Sequence, residues 1–116
     1  MKVLVVGAGP VGLSAALSLA QNGIVSDVVE KRTEPSAFSR AVGIMPVTLR
    51  RFKDCNVSDS ILNEGMPFRT IAVHRSSKSL LRFNVSESLS PKDLMIGLPQ
   101  NRTETIIREA AEEFGV

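Results

Sequence analysis

The sequence has no tryptophan and no tyrosine, and phenylalanine brings the aromatic share to only 4%. A stacking platform for single-stranded nucleic acid has little to work with in such a chain. There is one cysteine, Cys55, so no internal disulfide can form, which fits a reducing, cytoplasmic compartment. No Cys/His cluster has metal-ligand spacing, and the single histidine, His74, falls in a stretch that reads as a surface hairpin. Net charge is +2, too small to argue for a nucleic-acid partner. With 116 residues there is room for one small domain.

What charge there is clusters. Between Lys31 and Lys53 lie six cations (Lys31, Arg32, Arg40, Arg50, Arg51, Lys53) against one acid, Glu34, whereas the C-terminal stretch is acidic. Most of these cations read equally well as a solvated helix face and a polar loop. The longest uncharged run, Val3 to Val25, follows Lys2 and superficially matches a secretory signal or membrane span. Gly7, Gly9, Pro10 and Gly12 interrupt it where an apolar helix would suffer most, so no membrane span is expected.

Those interruptions define a different pattern. Lys2–Val6 reads as a strand buried on both faces. Gly7-x-Gly9-x-x-Gly12 is a turn, and a helix is expected from about Pro10 to Asn22, since Pro10 is acceptable in a first helical turn. Gly12, Ala16 and Ala20 recur at i, i+4 and i+8, a face able to lie close to the strand. Gly23 supplies a left-handed stop, and Ile24–Glu30 reads as the next strand, closed by an acid 18 residues after the third glycine. Each part suits an adenine dinucleotide. Gly7 permits a tight turn, Gly9 lets a pyrophosphate approach the backbone, and Gly12 allows close packing. The helix N-terminus, from Pro10 and Val11 onward, offers unpaired N–H groups to phosphates. Glu30 can accept both hydroxyls of a ribose. The pattern does not separate FAD from NAD.

Downstream, a polar connection runs from Lys31 to Gly43 and a helix is expected from Pro46 to about Asn56, with another turn or two to Glu64. Thr70–Val73 and Leu80–Val85 read as a hairpin, and 91–99 as irregular. A last helix is expected to start at Asn101, with Glu104 as its capping-box partner and Ile106, Ala110 and Phe114 along one stripe.

Gly7-Ala-Gly-Pro-Val-Gly-Leu13 with Val29-Glu30-Lys-Arg32 resembles the start of the p-hydroxybenzoate-hydroxylase-like and phenol-hydroxylase-like flavoprotein monooxygenases. Ser39-Arg40-Ala-Val-Gly-Ile44, followed by Pro46 and Thr48-Leu49, is similar to that family's second signature, and Leu98-Pro99-Gln100 to its third. The resemblance spans essentially the whole chain. It implies an α/β, partial Rossmann-like FAD-binding domain with a βαβ motif over 1–30, a hairpin of the substrate-domain type over 70–85 and a return helix over 101–114. It implies FAD as cofactor, NAD(P)H as electron donor and a small aromatic substrate. By the same resemblance Glu30 binds the ribose, Arg40 reaches the FAD, Gln100 lies beside it and Lys31 lines the adenosine pocket. Residue chemistry alone leaves Arg40 open as a surface cation and Gln100 as a pre-helix residue. Asn56 stands where the family often has glycine, an exchange that asparagine tolerates in the left-handed conformation. The family's Asp-Gly and Gly-Asp motifs for flavin, ribitol and phosphate do not occur here. The expectation is therefore an incomplete domain, inactive alone, marginally stable and aggregation-prone, with no catalytic residue to name. Open alternatives are a non-catalytic FAD- or NAD-binding module and another GxGxxG oxidoreductase; oligomeric state is not legible.

Overall fold

In a computed structural model of the chain, residues 3–34, 42–85 and 87–116 are described. The uncharged N-terminal run folds as β1 (Val3–Val6) and α1 (Pro10–Gln21), and no described helix is long and apolar enough to cross a membrane. Gly23, at φ +75°, follows α1 and turns the chain into β2 (Ser26–Val29). The two strands pair in parallel, Val3 opposite Ser26 and Val6 opposite Val29, so β1, α1 and β2 form the βαβ unit expected of this pattern.

The strand is not buried on both faces, as its apolar run suggests. The helix α1 covers one side, but Leu4 and Val6 stand 60% and 80% exposed on the other, where no described element packs. Burial by helices on both faces is what normally keeps such runs apolar, and the described residues supply only one such layer.

The core lies on the helical side. Leu13 and Leu17 of α1 meet Ile106, Ile107, Ala110 and Ala111 of α4 (Gln100–Glu113), and α3 (Val57–Glu64) adds Val57 and Ile61. The helix expected over 46–56 is broken. It begins as α2 (Pro46–Arg51), tightens into a 3-10 turn at Lys53–Cys55, and reverses at Asn56, which takes φ 60°. Burial of Leu49, Phe52 and Cys55 requires that change of direction, and asparagine accommodates it. Burial also pushes the Cys55 thiol upward in pKa, away from thiolate reactivity.

Three strands of two residues each form a small antiparallel sheet, β3 (Gly43–Ile44), β7 (Ile96–Gly97) and β4 (Met66–Pro67), with β7 central. The stretch 91–99 is thus not wholly irregular. Ile96 is fully buried, and that burial holds the short strand in place. The strands β5 (Thr70–Arg75) and β6 (Lys78–Asn84) form the hairpin, exposed at every residue, His74 included. The radius of gyration of 16.5 Å exceeds the roughly 13 Å of a compact domain this size.

The capping box at Asn101 and Glu104 does not form. The helix α4 begins one residue earlier with Pro99 at the cap, a position that has no side-chain acceptor, and Glu104 turns inward. Phe114 falls just past the helix and is 40% exposed rather than completing the stripe.

Candidate functional site

The three glycines of the bend meet three separate demands. Gly7 takes φ +102°, a conformation that side-chain-bearing residues rarely adopt, and its N–H donates to the Val29 carbonyl at 2.7 Å. That bond ties the bend to the end of β2. At Gly12 an added Cβ would collide with the Gly7 carbonyl oxygen and press on Val5, so packing excludes any larger residue. At Gly9 neither reason applies. Its φ of −79° suits any residue, and a Cβ there would meet open space. Among the described residues nothing occupies the space beside the Gly9 backbone.

Gly9 caps α1, and the Leu13 N–H closes the first helical turn on its carbonyl at 2.9 Å. Pro10 lacks an N–H, so the free donors of the first turn belong to Val11 and Gly12. No acidic side chain occupies this turn, and Val11 is 82% exposed at its rim. The helix end therefore offers partial positive charge and donors to an anion.

Glu30, one residue past β2, points at this bend. Its Oε2 accepts the Ala8 N–H at 2.9 Å, and its Oε1 accepts the Arg32 N–H at 2.9 Å and the Arg32 Nε at 3.4 Å. The Arg32 N–H, the Ala8 N–H and the Arg32 guanidinium, in that order, hold its carboxyl down to about 2. It is a carboxylate throughout the neutral range. These bonds take three of the four lone-pair sites of the carboxylate and leave one, on Oε2. The 3.4 Å contact from the Arg32 Nε is the longest of them and the one a second donor would displace.

Two cavities flank the bend. One, of about 180 Å³, is lined by Ala8, Glu30, Arg32, Glu104 and Arg108. The other, of about 210 Å³, is lined by Pro10 and Ser14 of α1, by Val42 to Met45, by Thr48, and by Gln100 and Thr103 of α4. Pairing of β3 with β7, extended by the Leu98 N–H to the Val42 carbonyl at 2.8 Å, brings the last two groups together. Three stretches far apart in sequence thus converge beside the first turn of α1. A larger cleft of about 470 Å³ lies at the other end of α1, between Ser18, Arg51, Asp54 and Phe114, and holds none of the expected residues.

Gly7, Gly9, Pro10, Val11, Gly12, Glu30 and Gln100 are thus gathered in one region. Lys31 is exposed and is not among the lining residues of either cavity. Arg40 lies outside the described residues. Sequence reasoning missed Ala8, whose N–H fixes Glu30, and Arg32, whose position two residues after the acid was the available signal. It also missed Glu104 and Arg108, one helical turn apart on α4.

A βαβ unit with a glycine bend, an acid anchored to that bend and an open approach at Gly9 defines a dinucleotide-binding α/β domain. The sequence matches the FAD binding domain family over residues 1–116, and the chain belongs to that family. It is 32% identical to 6-methylpretetramide 4-monooxygenase of Streptomyces rimosus over 99% of this chain and 21% of that protein. Among solved structures it resembles p-nitrophenol 4-monooxygenase PnpA from Pseudomonas putida DLL-E4 (TM-score 0.80, 26% identity, 97% of this chain and 30% of that one). It also resembles aklavinone-11 hydroxylase in complex with FAD and aklavinone (TM-score 0.76, 28% identity, 98% of this chain and 24% of that one). The chain spans about a fifth of the length of the curated relatives it matches. Among the described residues no group of three or more His, Cys, Asp or Glu could hold a metal ion.

Proposed function

We propose that this chain carries the adenosine and pyrophosphate end of FAD for a monooxygenase that hydroxylates a small aromatic substrate with NAD(P)H and O2. One observation carries the reading: Pro10, the Val42–Met45 stretch and Gln100 line a single cavity at the end of a helix whose approach is left open at Gly9. The relatives' names supply the reaction class.

On this reading Glu30 takes the ribose hydroxyls and the Val11 and Gly12 N–H groups take pyrophosphate oxygens. Gln100, beside Pro10, donates to and accepts from the cofactor's middle. Arg40, two residues before Val42, is placed in sequence to neutralise phosphate charge. Bound FAD would supply the electron transfer and oxygen activation, chemistry that belongs to the cofactor. Residues 1–30 then form the dinucleotide motif, 70–85 a hairpin of the substrate domain and 101–114 the return helix. The lone buried thiol fits a reducing cytoplasm.

The substitution Gly9→Ala tests the reading directly. Its backbone angles suit alanine, but alanine caps a helix less well than glycine, so the two effects oppose and stability should change by less than about 1 kcal/mol. FAD affinity should fall about tenfold or more as the methyl enters the ligand's space. Flavin absorbance and fluorescence titration against a thermal melt measure both. Tight NAD binding with no retained flavin, or unchanged FAD affinity in Gly9→Ala, would sink the proposal.

A further inference from the structure

Among the described residues Glu104 is the one buried charged side chain, only 3% exposed. A carboxylate so far from water is costly unless it is hydrogen-bonded. Its Oε1 accepts from the Gln100 Nε2 at 2.7 Å, one turn earlier on α4. A carboxylate has no hydrogen to give, so the amide nitrogen of Gln100, and not its oxygen, must face it. Turning the amide over would set oxygen against oxygen.

Glu104 also lines the cavity that contains Ala8 and Glu30, whereas Gln100 lines the one that contains Pro10 and Val42. The pair therefore stands between the two halves of the site. We infer that Glu104 is a positioning residue, holding the Gln100 amide in one orientation toward the cofactor and joining the two cavities into one surface. This inference rests on the FAD reading above.

Double-mutant cycles on the 116-residue chain test it. Glu104→Gln keeps the shape but lets the Gln100 amide sit either way up, and FAD Kd should rise about fivefold, the value of one hydrogen bond. Glu104→Met keeps the volume and removes the acceptor. Its Tm should stay level or rise, because a buried charge is gone, while Kd rises at least as much. In a Gln100→Ala background neither change should raise Kd further. Without any ligand, the Gln100 side-chain NH2 signals in 15N NMR should shift clearly in Glu104→Met, which removes the acceptor, and less in Glu104→Gln, which retains an amide oxygen. An equal loss of affinity in the Gln100→Ala background, or NH2 signals that do not move, would overturn the inference. Failure of the unsubstituted chain to take up FAD would count against the functional reading, and the NH2 signals would still decide whether Glu104 holds Gln100.

Discussion

The packed half of the molecule and the hairpin spend similar residues differently. In the first, Leu17, Ile61 and Ile96 are fully enclosed by α1, α3, α4 and the small sheet. In the second, Ile71 and Val73 lie opposite Phe83 and Leu81 on one face, and all four are about half exposed. The pattern of the hairpin is that of a sheet with one face to cover, yet no described element covers it. The open side of β1, with Leu4 and Val6, behaves alike. Packing among the described residues thus specifies the bend and its surroundings, while the hairpin and the far side of the sheet carry an apolar pattern that no described element covers. Patches of this kind promote association, and concentration-dependent aggregation is expected.

The largest way to break that contrast is Gly12→Ala. The new methyl would meet backbone at Gly7, which cannot swing aside, so a loss of about 3 kcal/mol or more is expected. Urea unfolding followed by circular dichroism would register it as a large fall in midpoint; an unchanged midpoint would mean that strand and helix are not packed this closely.

A second effect is confined to the bend. Glu30's carboxyl lies below its ordinary value of 4.5 in the folded chain, so it binds a proton more readily when unfolded. Its contribution is complete above about 4.5 and fades as pH falls toward about 2. The Ala8 amide resonance should titrate with a midpoint near that lower value, and the titration should vanish in Glu30→Gln. The same substitution should weaken FAD binding by about tenfold at neutral pH. A midpoint near 4.5 would show that the Ala8 and Arg32 donors do not hold the group.

The smallest effect belongs to the hairpin. Phe83→Ser should change folding stability by less than about 0.5 kcal/mol while lowering aggregation measured by light scattering. A loss comparable with that of a core residue would show that the hairpin face is covered after all.

Much of the bend was legible from sequence because its demands are local. Gly7 needs its backbone angle, Gly12 needs its missing side chain, and Glu30 needs only to end the paired strand. The short strands β3, β4 and β7 left no trace, since two residues carry no alternation and only long-range burial of Ile96 holds them together. The role of Glu104 was misread for a related reason. Its spacing from Asn101 matches a cap, but Pro99 starts the helix earlier, and a side chain one turn from Gln100 finds an amide instead of a backbone N–H. Arg32 escaped notice because charge clustering does not reveal which cation folds back on its neighbour.

The hydrogen bond from Gly7 to Val29 makes the two-stranded ladder a ruler for the ligand. Val6 and Val29 are aligned in register, and the next residue along β2 is the acid itself. Sliding one strand by a single residue would displace Glu30 by about 3.3 Å and turn it to the opposite side of the sheet. Any insertion or deletion between Gly12 and Glu30 that shifts this alignment should therefore abolish nucleotide recognition even where every residue of the motif is retained.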